Sequence, residues 1–285
     1  MDIYSHPMFR IQGATFPGPE HPDRLNLVEE LIANAERAYT SEFDEDPEIR
    51  AQIEELHSYQ DTLQFSGAGT ESIDEEGETF IDRLSYRTAI AAAVTSIYTA
   101  EAQGFALVRP PGHHAHAAYT HGFCLLNNMA LATKNLLKNG ERVLVLDLDI
   151  HHGCGTEELL EKEPDACMIS LYQRNTKRDW PPNEHFLYAK NCQHIPLTGR
   201  VDDLQYCTLF EKTVMPSIER FQPTIIGVSL GLDTFQEENY GWKLSKRTIK
   251  EIRKFLKGRN IFGILEGGYT EEAVRDGIEA FIEDP

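Results

Sequence analysis

The chain has 285 residues, 41% of them hydrophobic and 26% charged, the balance of an ordinary globular protein whose length suits one large domain or two smaller ones. Its 46 acidic against 27 basic side chains leave a formal charge of −19. That balance opposes tight general binding to a phosphate backbone, where affinity comes from Lys and Arg displacing counterions, and argues against a direct nucleic-acid role; most of that charge serves solubility, and the same field would draw in cationic substrates such as lysine-rich peptides or polyamines.

In chain order, the opening Met1 to Arg10 lacks the basic start and apolar run of a secretory signal. No later run approaches the ~18 apolar residues of a membrane span. The expectation is a cytoplasmic protein without a membrane partner. A helix is predicted over Leu25 to Tyr39. The acidic stretches Ser41 to Glu55 and Glu71 to Glu78 read as solvated connections. A helix over Ser85 to Ala102 then leads to a strand at Phe105 to Val108. Further helices are predicted at Asn127 to Leu137, Asp203 to Arg220 and Ser245 to Leu256, several opening on a Ser, Asn or Asp cap. Buried strands are predicted at Val143 to Leu148, Cys167 to Leu171, Thr224 to Leu230 and Ile261 to Leu265. Pro22, Pro110, Pro111, Pro181 and Pro182 mark loops, not a linker, so residues 1–285 are read as one domain. Cys124, Cys154, Cys167, Cys192 and Cys207 are odd in number and never spaced CxxC, which argues for reduced thiols. Alternating strands and helices predict an α/β domain with a mainly parallel sheet covered on both faces. Its active site belongs at the carboxyl ends of the strands.

Polar residues follow the predicted strands directly. In Val143-Leu-Val-Leu-Asp147-Leu-Asp149-Ile-His151, alternation puts Asp147, Asp149 and His151 on one side if the extended backbone persists, a pattern suited to a metal. Asp149 and His151 are the first candidate ligands, and Asp233, ending Val228-Ser-Leu-Gly-Leu-Asp233, is the third or else a helix cap. Three ligands leave a position open for water and substrate, as catalytic zinc sites do. The loop Arg109-Pro-Pro-Gly-His113-His114-Ala-His116 offers adjacent imidazoles for acid–base work near neutrality, although such a pair is also common on ordinary surface. Leu265-Glu-Gly267-Gly268-Tyr269 places a phenol where it either donates to a developing oxyanion or simply packs.

Taken in order, RPPGHHA, GFC with a following Asn, DLDIHHGCGT, SLGLD and LEGGY resemble the motif set of the zinc-dependent histone deacetylase superfamily across nearly the whole chain. PPGHHA and the early His21-Pro22-Asp23-Arg24 are closer to its class II branch, which includes acetylpolyamine amidohydrolases. The resemblance implies an arginase-like fold with an eight-stranded, mostly parallel sheet and zinc on Asp149, His151 and Asp233, a set that also accepts Fe2+ or Co2+. It further implies His114 as general base, His113 as its partner oriented by Asp147, and Tyr269 polarising the substrate carbonyl. Gly122 and Phe123 would wall an acyl-lysine tunnel, with Tyr240 at its gate and Gly267 and Gly268 against the substrate. A structural potassium ion, K+, would draw on Asp147, on the carbonyls of Asp149, His151 and Leu171, and on Ser170. The implied activity removes acetyl or other short acyl groups from lysine or similar amines. An acetylpolyamine or other small-amide hydrolase is the alternative, and a non-catalytic acyl-lysine binding protein is a rival of another class. An arginase-like two-metal ureohydrolase would need further Asp and His ligands. The chain departs from the pattern at Cys154, where relatives carry Asn or Asp, at Tyr172, where His is usual, at Arg174, which replaces a common aromatic region, and at Tyr240. A thiol cannot support an imidazolium as a carboxylate does, so an altered pH optimum is expected.

Overall fold

The computed structural model describes residues 1–13, 16–33, 47–64, 69–174, 185–238 and 240–285. The elements run β1 (Ile3–Tyr4), α1 (Glu29–Ala33), α2 (Pro47–Leu56), β2 (Glu71–Ser72), β3 (Phe80–Ile81), α3 (Ser85–Ala102), β4 (Phe105–Ala106) and α4 (Asn128–Lys138). They continue with β5 (Val143–Asp147), α5 (Cys154–Leu160), β6 (Ala166–Gln173), β7 (Cys192–Leu197), α6 (Asp203–Leu209), α7 (Met215–Phe221), β8 (Ile225–Leu230), α8 (Lys246–Phe255), β9 (Ile261–Leu265) and α9 (Glu271–Ile282). Beyond Ala33, the helix expected to reach Tyr39 lies outside the described residues, as do the first residues of the acidic stretch from Ser41, and Pro181 and Pro182.

Among the described residues the main sheet has seven strands in the order β1-β4-β9-β8-β5-β6-β7, all parallel, one fewer than the resemblance implies. Every residue of β5, β8 and β9 is buried, so helices and loops cover both faces of the centre. The chain leaves β5 for β6 and β7 on one side, then returns to place β8 on the other. That reversal opens a crevice beyond the ends of β5 and β8, where α/β sheets bind ligands.

The expected central strands form within a residue or two, and α3 has its predicted bounds. Asn127 caps α4 by accepting from Ala130 N at 2.9 Å, and Ser245 caps α8. The helix expected from Asp203 to Arg220 is interrupted by a π turn at Phe210–Val214 before Pro216, which has no amide to continue the α-helical ladder. The acidic stretch up to Glu55 is not all solvated connection. Within it α2 buries Gln52 and Ile53, followed by Leu56, on one face. Glu71 to Glu78 is solvent-facing as expected, but begins in a β2–β3 hairpin whose turn is tied by Asp74 accepting from Glu78 N and Thr79 N at 2.9 and 2.8 Å.

Candidate active site

The loops after β4, β5, β8 and β9 meet at the crevice. His151 Nδ1 lies 3.1 Å from both Asp149 Oδ1 and Asp233 Oδ2, and the three residues offer one ligand atom each within 4.8 Å of one another. Backbone amides aim the carboxylates. Asp149 Oδ1 accepts from His151 N and Oδ2 from Gly267 N, both at 3.0 Å, while Asp233 Oδ1 accepts from Ile150 N at 3.0 Å. Burial raises Asp233 to about 7, helped by the neighbouring Asp149 charge. Burial opposes the charge on His151 too, but hydrogen bonds to Asp149 and Asp233 outweigh it and lift it to about 9.

Two buried carboxylates this close call for a cation, and the donors fit a metal ion. The surrounding backbone is shaped for such a cluster. A Cβ on Gly231 would lie 2.2 Å from Asp149 Oδ2, and one on Gly267 would lie 2.6 and 2.8 Å from Asp149 Oδ2 and Asp233 Oδ2. Both positions must stay bare for the carboxylates to converge. Among the described residues this group has three donors, without the additional set of a two-metal centre.

Asp147 does not join the ligands. Its Oδ2 meets His113 Nδ1 at 3.2 Å, while His113 Nε2 is 3.9 Å from Asp149 Oδ2. Burial disfavours charge on His113, yet Asp149 and Asp147 together raise it to about 10. His114 is the opposite case, held well below the usual imidazole range by burial and by His113 and His121. Its Nδ1 has Cys154 Sγ 3.5 Å away, at the position where the resemblance implies Asn or Asp. The ring centroids of His113 and His114 are 3.8 Å apart, so the two imidazoles lie against each other in unlike surroundings.

Tyr269 is half-buried, and burial pushes its phenol well above the usual range. The guanidinium of Arg24 sits 4.5 Å over its ring, donates to Gly268 O at 2.8 Å and to Glu266 O at 2.7 Å, and pairs with Glu20. Glu20 also pairs with Arg109 at 2.6 Å, joining the turn to the base of the histidine loop. Gly268, at φ +107°, makes the turn that a side chain would strain. Phe123 faces Tyr269 edge-on at 5.8 Å and follows Gly122, both with positive φ, while Tyr240 stands edge-on to His151 at 5.4 Å and is 40% exposed. Of the expected tunnel residues, Tyr240 and Gly267 thus lie against the ligand cluster and Phe123 against Tyr269. Of the potassium candidates, Asp147 pairs in register with Ser170 across β5 and β6, next to buried Leu171, and the Ser170 hydroxyl is 2.9 Å from His152 Nδ1.

Glu266 and Glu157 had no role in the sequence reading. Fully buried Glu266 accepts from Gly112 N, His113 N and Ser229 Oγ at 2.8, 3.2 and 3.1 Å, tying the histidine loop to β8 and β9. Its place beside Gly267 in LEGGY was the available signal. Glu157, four residues after the conspicuous Gly153, accepts from His152 and His194 at 2.9 Å each, and Tyr172 Oη reaches His194 Nδ1 at 3.4 Å. Only the fold brings His194 to that place.

A family model for the histone deacetylase domain matches residues 18–284. Histone deacetylase clr3 of Schizosaccharomyces pombe is 28% identical over 272 residues, covering 89% of this chain and 38% of the relative. Histone deacetylase HDA1 of Saccharomyces cerevisiae is 32% identical, covering 67% and 30%, and a probable deacetylase of Archaeoglobus fulgidus is 32% identical, covering 65% and 55%. The crystal structure of the HDA15 HD domain superposes with a TM-score of 0.85 at 25% identity, covering 99% of this chain and 86% of that one. The chain thus spans between about a fifth and just over half of the length of the curated relatives it matches.

Proposed function

The chain belongs to the histone deacetylase family, and from that premise we propose that it is a zinc-dependent amidohydrolase that removes acetyl or other short acyl groups from lysine side chains. The observation carrying this reading is the convergence of Asp149, His151 and Asp233 beside the adjacent imidazoles of His113 and His114. Zinc held by those three residues would polarise the acyl carbonyl and make water nucleophilic at neutral pH. The chain's own groups divide the remaining work. His114, whose Nδ1 faces a neutral thiol, is the base that takes the proton of the attacking water at Nε2. His113, held by Asp147 and close to Asp149, keeps a proton and returns one to the departing amine. Tyr269 donates its hydroxyl proton in a hydrogen bond to the carbonyl oxygen as negative charge develops there, its turn held by Arg24. Phe123 and Tyr240 flank the acyl-amine stem and exclude water. A potassium ion on Asp147, Ser170 and neighbouring carbonyls belongs to the same reading.

An acylated polyamine is the second substrate to test, because Asp74, Glu75 and Glu76 line a cavity of about 440 Å³ next to His121 and His185. The test is hydrolysis of a fluorogenic acetyl-lysine peptide and of acetylspermidine by zinc-loaded protein. Tyr269→Phe should lower kcat by roughly 10²–10³-fold, and Asp233→Ala should lose both bound metal and activity. Stoichiometric metal with no turnover of any acyl amine would overturn the reading in favour of an acyl-lysine binding protein.

A further inference from the structure

At His114 three side chains converge that the proposed reaction does not use together. Cys154 Sγ is 3.5 Å from His114 Nδ1 and 3.5 Å from His121 Nε2, and all three potential ligand atoms lie within 4.8 Å of one another. Each residue is buried: His114 and His121 are 2% exposed and Cys154 is 0%. A tetrahedral zinc ion with ordinary Zn–S and Zn–N bond lengths sets its sulfur and nitrogen ligands about 3.6 Å apart. Both measured separations match that edge. The imidazole centroids of His114 and His121 are 5.0 Å apart with planes 22° from parallel, a spacing that lets both rings reach one ion.

We propose that Cys154, His114 and His121 form a second metal site, for zinc or another thiophilic ion, whose occupation switches off the general base. A cysteine with two histidines selects soft or borderline ions and differs in kind from the carboxylate-rich cluster at Asp149 and Asp233. Binding releases the thiol proton of Cys154, since a coordinated thiol is deprotonated. With the ion on Nδ1, the neutral imidazole of His114 carries its proton on Nε2, so the nitrogen facing the reaction cannot accept another. The inhibitory part of the proposal rests on the assignment of His114 as base; the binding part does not.

A route for the ion is also visible. His121 lines the 440 Å³ cavity together with Tyr119, His185 and the acidic Asp74, Glu75 and Glu76. His121 is shared by a second set of potential ligands, His116 and His185, with His185 at the partly exposed end. Carboxylates in the cavity's lining attract a cation, and the histidines offer nitrogen ligands between that cavity and Cys154. Ligand identity, ligand spacing and an entry path are the checks a new metal site must meet.

The experiment is a titration of metal-free protein with Co2+, followed by absorbance. Wild-type protein should bind two equivalents, one of which brings a thiolate-to-cobalt charge-transfer band in the near ultraviolet. Cys154→Ser and His121→Ala should each abolish the band and leave one equivalent bound. Asp233→Ala should keep the band while losing the other site, and Cys192→Ser should keep both, which excludes the neighbouring His152–Glu157–Cys192–His194 group as the source. Thermal unfolding of each variant separates loss of the site from loss of the fold. With zinc, activity at one equivalent should fall at least tenfold as the second binds, and His121→Ala should resist that fall. One equivalent in wild type, or a band surviving in Cys154→Ser, overturns the site. A band without inhibition overturns the switch, and absence of deacetylation at every zinc level leaves the cobalt result to decide the site by itself.

Discussion

His57 shows how one buried side chain fixes the geometry of distant functional residues. Its Nε2 accepts from Asn127 N at 3.1 Å, so Nδ1 carries the proton and donates it to His116 O at 2.8 Å. The ring thereby ties the end of α2 to the histidine loop and to the cap of α4. Protonating Nε2 would set two N–H groups against each other, and burial lowers the group from 6.5 to about 4. Between those values the unfolded chain binds a proton that the folded one refuses, so stability contributed here is full above pH 6.5 and is lost as pH falls toward 4. The loss amounts to about 3 kcal/mol. Urea unfolding of wild type and His57→Gln from pH 7.5 to 4.0 checks this: the variant should show a slope shallower by about one proton in that window, and equal slopes would refute the assignment. Cys154 is the complementary case among single residues. Sequence marked its departure from relatives, but the second imidazole within 3.5 Å of it comes from His121, whose approach no motif announces.

At the scale of elements, the site depends on how closely the ends of β5, β8 and β9 can approach. A Cβ at Gly231 would stand 2.3 Å from the Asp149 Cα as well as 2.2 Å from its carboxylate, and a backbone clash cannot be relieved by a rotamer change. Gly231→Ala should cost about 1–3 kcal/mol of stability and weaken metal binding by about 10–100-fold. Calorimetric metal titration with thermal melts would measure both, and unchanged affinity would show that the loops have slack. The sequence signal for such an approach is a glycine two residues before Asp233 at the end of a buried strand. The central strands were equally legible, since burial on both faces demands unbroken apolar runs. The edges were not: β1 is two residues long, and β7 reads Cys-Gln-His-Ile-Pro-Leu because its partly exposed side chains need not be apolar and Pro196 is tolerable on an edge. Acidic composition hid α2, whose buried face has only Gln52, Ile53 and Leu56. By contrast, α9 was legible but missed, with Ala273, Val274, Gly277, Ile278 and Phe281 at helical spacing. The candidate metal ligands could be chosen from motifs, whereas the Glu266 carboxylate on the Gly112 and His113 amides crosses 154 and 153 residues and requires the fold.

For the whole molecule, the formal charge of −19 matters through its field, and near the site the β2–β3 hairpin adds exposed Glu75, Glu76 and Glu78. Such a field raises the encounter rate of a cationic substrate without altering the chemistry that follows. Mobile ions shorten its reach to about 10 Å at 0.1 M salt and about 3 Å at 1 M. For a lysine-rich acetylated peptide, kcat/KM should therefore fall by about tenfold between roughly 20 mM and 500 mM salt. For a neutral acetyl-lysine amide the change should stay within about twofold, because that substrate gains nothing from steering. Single-substrate kinetics across the salt series distinguishes the two, with kcat at saturation expected to hold constant. Equal salt slopes for charged and neutral substrates would mean that the acidic surface serves solubility alone. A steep slope removed by charge-neutralising changes at Glu75 and Glu76 would instead locate the path by which cationic substrates arrive, beside the cavity that leads to His121.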